Sequence, residues 1–409
     1  MAEQDHDRQP ERPDYLGLYE RVVHGDFYGE DYYRYPDSNE ESAIYYDDSD
    51  DKRTMAGLLV TSFGPSRSLE VGCAMGLMVK AMRAYGVDAE GIDFSNWCVE
   101  HASDQVREWV RWGDVLKLEP PERPYDLVLA LDVLEHLPPE QVPVALANIA
   151  AALRPGGIAF AVIPAYGPNE FGPEIFRLER DSWKRDAALG IPFLDLPLDD
   201  KGRPHLGHLT HATIGWWEGA FARAGLLRLG RVERLLHERY DSIIAFARRS
   251  FFVFVKAGSF GRWRTSRRLL SRIAAVPGLP RGFWAWERWG ERVWMHWSTQ
   301  QAWEPIETNG RETLRLYGLC NHPAIADDPV TVTFRVDDGA TTEVVFTDHD
   351  WHAIELAVPR RQFIGLHVTS SRTWAPDGET EGVTPRALGV GLAYDWAPPI
   401  PAAAPVGAR

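Results

Sequence analysis

The sequence predicts an α/β domain built on a mostly parallel sheet, followed by an all-β domain. Three observations carry this expectation. Between residues 65 and 163 short apolar runs alternate with helical stretches, and the first four runs end near a glycine or an acid. From 311 to 396 the period falls to two, with Asp338-Gly339 as a hairpin turn. A length of 409 residues exceeds one ordinary domain.

Taken in order, residues 1–13 are charged, poor in apolar groups and expected to be disordered. Residues 14–64 form an N-terminal cap segment carrying Tyr28, Tyr32, Tyr33, Tyr35, Tyr45 and Tyr46, then the acidic run Asp47 to Asp51. These tyrosines either cover a ligand or pack the segment onto the core. Ser68 to Val71 read as a buried strand, Gly72 opens a tight turn, and Leu77 to Tyr85 read as a helix. Further strands come at Asp88–Asp93, Arg111–Val115, from Tyr125 to Asp132, and after Leu153-Arg-Pro-Gly-Gly157. A βα alternation of this kind implies right-handed crossovers and a crevice beyond the carboxyl ends of the strands. Gly72, Asp93, Asp114 and Asp132 would therefore line one pocket edge. Residues 164–212 are rich in Pro, Gly and His, a long connection expected to hang over that crevice as a substrate-covering insertion. Thr213 reads as the N-cap of a helix from Ile214 to Ala224. Leu226–Glu233 and Ser250–Val255 read as the last two strands of the domain.

Residues 259–303 are dense in Arg and Trp, and Leu269, Leu270, Ile273 and Val276 fall at helical spacing. This predicts a helical linker, packing on protein or lying on an anionic membrane surface. Residues 304–396 read as a β-sandwich or jelly roll, and 397–409 as a disordered Pro/Ala-rich tail.

The pieces Glu70-x-Gly72-x-x-x-Gly76, Gly91-Ile-Asp93-Phe94-Ser95, Gly113-Asp114-Val115, Asp132-Val-Leu-Glu-His136 and Leu153-Arg-Pro-Gly-Gly157 together resemble the class I S-adenosylmethionine-dependent methyltransferases. That resemblance implies a Rossmann-like seven-stranded sheet, mostly parallel with its last strand antiparallel, over residues 65–258. It also implies S-adenosyl-L-methionine as cofactor. Gly72, Ala74 and Gly76 would supply a backbone cradle oriented by Glu70, Asp93 would hold the ribose, and Phe94 would pack on the adenine. Asp114 and Val115 would meet the adenine edge, with Leu131 beside them. The family usually has Gly where this chain has Ala74. The Gly-x-Gly-x-x-Gly of a nicotinamide-binding domain is absent. Asp93 as a helix N-cap and Asp114 as a simple turn acid remain open alternatives. Pro376 to Arg386 and the residues after it loosely resemble the β-sandwich appendages of bacterial glycan-assembly enzymes.

Composition narrows the rest. The net charge of −15 disfavours nucleic acid as a partner. Residues 251–300 run against the trend, with Lys256 and eight arginines against Glu287 and Glu291, a net +7. Cys73, Cys98 and Cys320 show no Cys-x-x-Cys spacing and cannot all pair, which suits a reducing compartment. No apolar run reaches the ~20 residues of a membrane span. These features together predict a cytoplasmic protein, with peripheral contact at the inner face of a membrane through 259–303 as an option.

Methyl transfer to a hydroxyl needs a positioned nucleophile and a proton acceptor. His136, His208 and His211 are the candidate bases, His208 and His136 ahead, with Asp132 at a strand end; helix bracing is the alternative role for His208. Asp348-His-Asp350 reads as a solvated loop, and no metal is expected. The expected function is O-methylation of a sugar or cell-surface glycan precursor. A small natural product as acceptor, or a binding protein that has lost catalysis, are the alternatives.

Overall fold

A computed structural model describes residues 13–23, 26–33, 50–258, 261–284, 286–289, 293–376 and 386–394. Expectations for residues 1–12 and 397–409, for Tyr35, Tyr45 and Tyr46, and for 377–385 lie outside them. The helices are α1 (Tyr15–Val23), α2 (Asp50–Phe63), α3 (Leu77–Ala84), α4 (Asn96–Glu100), α5 (Val142–Ala152), α6 (Asp181–Leu189), α7 (Ile214–Arg223), α8 (Gly230–Tyr240) and α9 (Gly261–Ala275). The first seven strands are β1 (Arg67–Val71), β2 (Asp88–Asp93), β3 (Val110–Trp112), β4 (Tyr125–Leu131), β5 (Leu153–Val162), β6 (Leu226–Arg228) and β7 (Phe251–Lys256). Then come β8 (Arg281–Phe283), β9 (Glu287–Trp289), β10 (Val293–Glu307), β11 (Thr313–Leu319), β12 (Val330–Val336), β13 (Thr341–Phe346), β14 (His352–Ala357), β15 (Phe363–Ser370) and β16 (Gly391–Tyr394). The chain divides into two compact units, one of residues 1–47, 67–79 and 89–270, the other of 48–66, 80–88 and 271–409.

The first unit holds a seven-stranded sheet in the order β3-β2-β1-β4-β5-β7-β6. Strands β2 and β3, β1 and β4, and β4 and β5 pair in parallel, whereas β7 runs antiparallel to both β5 and β6. The predicted reversal of the last strand is present. The central strands are apolar on both faces: β4 buries all but Asp126 and Leu131, as a sheet covered by helices on each side requires. Leu69, Val71, Val128, Ile149, Trp217 and Phe254 belong to the core between the sheet and the face formed by α5 and α7. Thr213 caps α7 as expected, its hydroxyl accepting from the Trp216 N–H at 3.2 Å.

One strand expectation is corrected. Of Leu226–Glu233 only β6 is extended, and α8 takes over at Gly230. Val232, Leu236 and Tyr240 recur four apart and are buried, which is helical spacing. Glu233 is drawn inward because Arg228, itself buried, donates to it through Nε and Nη2 at 2.8–3.1 Å.

In the second unit β10 is long enough to serve two layers. Its first half pairs with β9 and β16, and its second half, Gln301–Glu307, pairs with β15. One layer continues through β12 and β13, the other through β11 and β14. The layers face each other across a packed interior: a Cβ on Gly318 of β11 would come within 2.7 Å of Phe346 on β13. This is the expected β-sandwich.

Two boundaries move. The helical linker expected over 259–303 stops at Ala275, because Pro277, Gly278 and Pro280 cannot continue it, and the chain passes instead into β8, β9 and β10. The cap segment 14–64 divides, since α2 groups with the second unit. There Arg272 donates to the Thr61 carbonyl at 2.6 Å and the Val60 carbonyl at 3.1 Å, while pairing with Glu307 at 2.7 Å. A cation thus meets carbonyls at the end of α2, of which Val60 also accepts from the Gly64 N–H at 2.9 Å. Among the described residues no helix is long and apolar enough to cross a membrane. The three cysteines are buried and unpaired with one another.

Candidate active site

The carboxyl ends of β1, β2, β3 and β4 all belong to the first unit, and the sequence-predicted residues gather there. Backbone conformation marks the turn after β1. Gly72 and Gly76 have φ of 67° and 79°, and between them Ala74 takes φ 47°. Side chains at the two glycines would overlap neighbours, 2.2 Å from Val133 at Gly72 and 2.4 Å from Val110 at Gly76. Ala74 tolerates the left-handed region at a strain of about 1–2 kcal/mol. Its N–H is held in place by Asp93, whose Oδ2 accepts it at 2.7 Å.

Asp93 is the brace of this end of the sheet. Its Oδ1 accepts from the Ser95 N–H at 2.8 Å. Ser95, not Asp93, is the side-chain cap of α4, through Cys98 N at 3.3 Å. Burial raises the Asp93 carboxyl, opposed by the N–H groups of Ser95, Ala74 and Phe94. A carboxylate has about four acceptor positions, so these N–H groups leave some capacity for a hydroxyl. Phe94 is half-buried with Trp112 at 6.4 Å, and the indole of Trp112 donates to the Phe94 carbonyl at 2.9 Å. Asp114 caps the short 3-10 turn Val115–Lys117 by accepting from Leu116 N at 2.9 Å, which is the turn role left open by the sequence. Val115 and Glu70 are buried, and Leu131 is half-buried at the tip of β4.

Beyond β4 the chain turns sharply. Asp132 adopts φ 56°, exposed, with Arg248 Nη2 at 3.7 Å from Oδ2. His136 lies in the 3-10 turn Leu134–His136, with Nδ1 at 3.1 Å from the Tyr28 hydroxyl and 3.2 Å from the Gly207 carbonyl. Residues 207–211 are clamped onto this turn: Leu209 and Thr210 N–H groups donate to the Glu135 carbonyl at 2.8 and 2.9 Å, and Thr210 Oγ1 donates to the Leu137 carbonyl at 2.6 Å. His208 is thereby delivered against His136, ring centres 4.9 Å apart, with His211 at 5.7 Å on its other side. The structure brings His136 and His208 together beyond the strand that ends at Asp132.

The electrostatics keep these rings neutral. Burial holds His136 down to about 4, and Gly207 and Asp132 backbone contacts only partly oppose this. His208 is pushed well below its ordinary value by burial and then by His136, His211 and His205. Glu135 is not among the sequence-predicted residues and is the central surprise. It is 1% exposed, and among the described residues neither carboxylate oxygen has a hydrogen-bond partner. Burial and then Asp132 push its carboxyl well up, against nearby backbone N–H groups. Donor atoms of Glu135, His136 and His208 lie within 4.8 Å of one another, close enough to hold a cation together. The signal is in the sequence, one residue before His136. The N-terminal segment adds a second group whose role the sequence leaves undecided. Tyr28 touches His136, its carbonyl accepts from Ser95 Oγ at 2.8 Å, and Tyr33 packs with Ala74, Met75 and Cys98.

The strand order with β7 reversed, and a glycine turn cross-braced to the acid after β2, define the class I S-adenosylmethionine-dependent methyltransferases. Residues 49–226 match the family model described as a methyltransferase domain. The match covers less than half of the chain, and the first unit has the fold of such a domain. A turn of left-handed backbone, braced by an acid that can still accept from hydroxyls, is compatible with such a cofactor.

A ubiquinone biosynthesis O-methyltransferase of Methylococcus capsulatus is 27% identical, over 32% of this chain and 66% of that protein. One from Coxiella burnetii is 28% identical, over 22% and 41%. The matched region thus spans less than two thirds of these relatives. Among solved structures, the amino pentose methyltransferase CalS10 of Micromonospora echinaspora is 17% identical, covering 54% of this chain and 99% of that one at a TM-score of 0.35. DesVI of Streptomyces venezuelae is 18% identical, covering 60% and 100% at 0.34. Scores this low add nothing to the assignment.

Proposed function

We propose that this chain is an O-methyltransferase acting on a hydroxyl of a sugar or cell-surface glycan precursor, with His208 as the proton acceptor. The observation that carries the reading is the cluster of neutral imidazoles beside the tip of β4, His136 edge-to-face with His208 and His211 tilted against His208. A neutral imidazole can accept a proton, whereas a charged one cannot. Bound S-adenosylmethionine supplies a methyl group already activated on a sulfonium, which departs as a neutral thioether. The chain's own task is to hold the acceptor in line and take its proton. The hydroxyl oxygen bonds to the methyl carbon as its proton passes to the His208 imidazole. Tyr28 and the Gly207 carbonyl fix the His136 ring that His208 rests against. In this reading Asp132, which pairs with Arg248 at 3.7 Å, orients the acceptor.

The names of the curated relatives favour oxygen as the methylated atom. They also support a second reading, a small hydroxylated molecule as acceptor. The sugar reading rests on the appended β-sandwich and its loose likeness to appendages of glycan-assembly enzymes. The same reading places the protein in the cytoplasm, with the basic Trp-bearing region 259–303 as a peripheral membrane contact. His208→Ala is expected to lower turnover more than tenfold while cofactor affinity, measured by calorimetry, is kept. Unchanged turnover removes His208 from the mechanism. Nucleotide-sugar and oligosaccharide acceptors set against small phenols separate the two acceptor classes.

A further inference from the structure

The outer face of one β-sandwich layer carries a groove of about 580 Å³, built by cross-strand register. Arg281 on β8 stands opposite Trp303 on β10, Trp303 opposite His367 on β15, His367 opposite Arg335 on β12, and Arg335 opposite Thr341 on β13. Opposed residues in a sheet share a face. One row therefore crosses five strands, roughly 19 Å at the usual strand spacing. A second row, two residues along, sets Gln301, Thr369 and Thr333 side by side. The residues between these positions, Ala302, Val368 and Phe334, point the other way and are buried.

Three features make this row more than a solvated surface. First, the indole of Trp303 is laid across the sheet by glycines: a Cβ at Gly365 would sit 2.7 Å from its Nε1, and one at Gly278 2.9 Å from Cη2. Second, the Arg281 guanidinium lies over the ring at 5.2 Å and the His367 ring meets it at 6.4 Å. Third, two arginines, Arg281 and Arg335, stand in the first row, while among the described residues of the two rows the one acid, Glu343 opposite Thr333, is exposed at the far end of the second. Asp337 is taken up by Arg361 and by the Gly365 N–H, Arg335 donates to its carbonyl, and Asp338 reaches Arg335 only at 3.5 Å from an exposed turn. His367 is held below its ordinary value by burial and then by Arg335 and Arg281, so it adds hydrogen-bonding capacity and no charge at neutral pH.

We propose that this groove binds an anionic saccharide chain, with Arg281 and Arg335 taking its carboxylate or phosphate groups. Trp303 with its stacked guanidinium offers a flat floor to a sugar ring, and the row of threonines and Gln301 meets its hydroxyls. Arginine suits both anions because its fork of N–H donors matches two oxygens. A volume of this size accommodates a few sugar units. The inference extends the glycan-acceptor reading, but its readout is binding without cofactor or turnover, so either can fail while the other stands.

The test uses the full chain, titrated by calorimetry with oligogalacturonate, a phosphorylated oligomannose and a neutral cello-oligosaccharide. At least one anionic probe is expected to bind tenfold or more tightly than the neutral one, and more weakly as salt rises. Preference between the two anionic probes identifies carboxylate or phosphate as the recognised group. Arg281→Gln, at an exposed position, and Arg335→Gln should each weaken that binding at least fivefold, with unfolding curves checking that both variants are folded. The proposal is overturned if neither anionic probe exceeds the neutral one, or if both arginine variants bind as the natural chain does.

Discussion

Replacing Gly72 by alanine isolates the geometry on which the cofactor cradle depends. The residue sits at φ 67°, and the added methyl carbon would come within 2.2 Å of Val133 Cγ2. The left-handed conformation costs a residue with a Cβ about 1–2 kcal/mol. Overpacking against Val133 adds about 1–3 kcal/mol. The expected loss of stability is therefore about 2–5 kcal/mol, measured by denaturant unfolding of the first unit's transition. The two contributions separate in a double-mutant cycle. Val133→Ala removes the atom struck, so Gly72→Ala on that background should cost only the conformational share, and the coupling should be about 1–3 kcal/mol. Cofactor affinity should fall at least tenfold in Gly72→Ala, because the turn must shift to admit the methyl. A loss under about 0.5 kcal/mol, the range of an ordinary surface change, or a coupling near zero, would refute the described approach of the turn to Val133.

Two further expectations concern buried charge and buried rings. Glu233→Gln leaves Arg228, which is 4% exposed, without its buried anionic partner and should cost about 3–5 kcal/mol of stability. A cost below about 1 kcal/mol would mean that water or Glu218 already compensates. His211 is held down to about 4 by burial, with the Arg180 charge adding to it. A histidine depressed on folding contributes stability above its unfolded value near 6.5 that is lost as pH falls through the folded one. Compared with His211→Asn, the natural chain should lose about 3 kcal/mol more between pH 6.5 and 4, read from unfolding curves across that range. Parallel pH profiles for the two proteins would contradict the burial of this ring.

Much of the first unit is legible because its strands are short, apolar and each followed by a residue type with one use. The glycine turn and Asp93 can be placed by spacing, and the histidines by their place in the long connection and in a motif shared with the family the chain resembles. Other features need the fold. Asp93 reaches back nineteen residues to the Ala74 N–H, a bond that no local pattern announces. Asp114 serves its own turn, an outcome the sequence leaves open. Glu135 escapes notice in the sequence because a carboxylate within an apolar run looks like surface until burial is known. The largest difference lies in 259–303. The spacing of Leu269, Leu270 and Ile273 is truly helical, but it does not carry over to tryptophans that belong to strands. Dense Trp and Arg are compatible with either period, so only the prolines at 277 and 280 mark the change. The division of 14–64 between two units is illegible, since the partner of α2 is an arginine more than two hundred residues away.

The sharing of β10 has a consequence for how the second unit comes apart. A sandwich whose sheets are joined only by loops can shed one sheet while the other persists. Here a single fifteen-residue thread is stitched into both, and the seam between its two halves falls near Thr299 and Gln300. A protease nick or an inserted residue at that seam would unlace both sheets at once, so the unit should melt in one step and show no half-folded survivor.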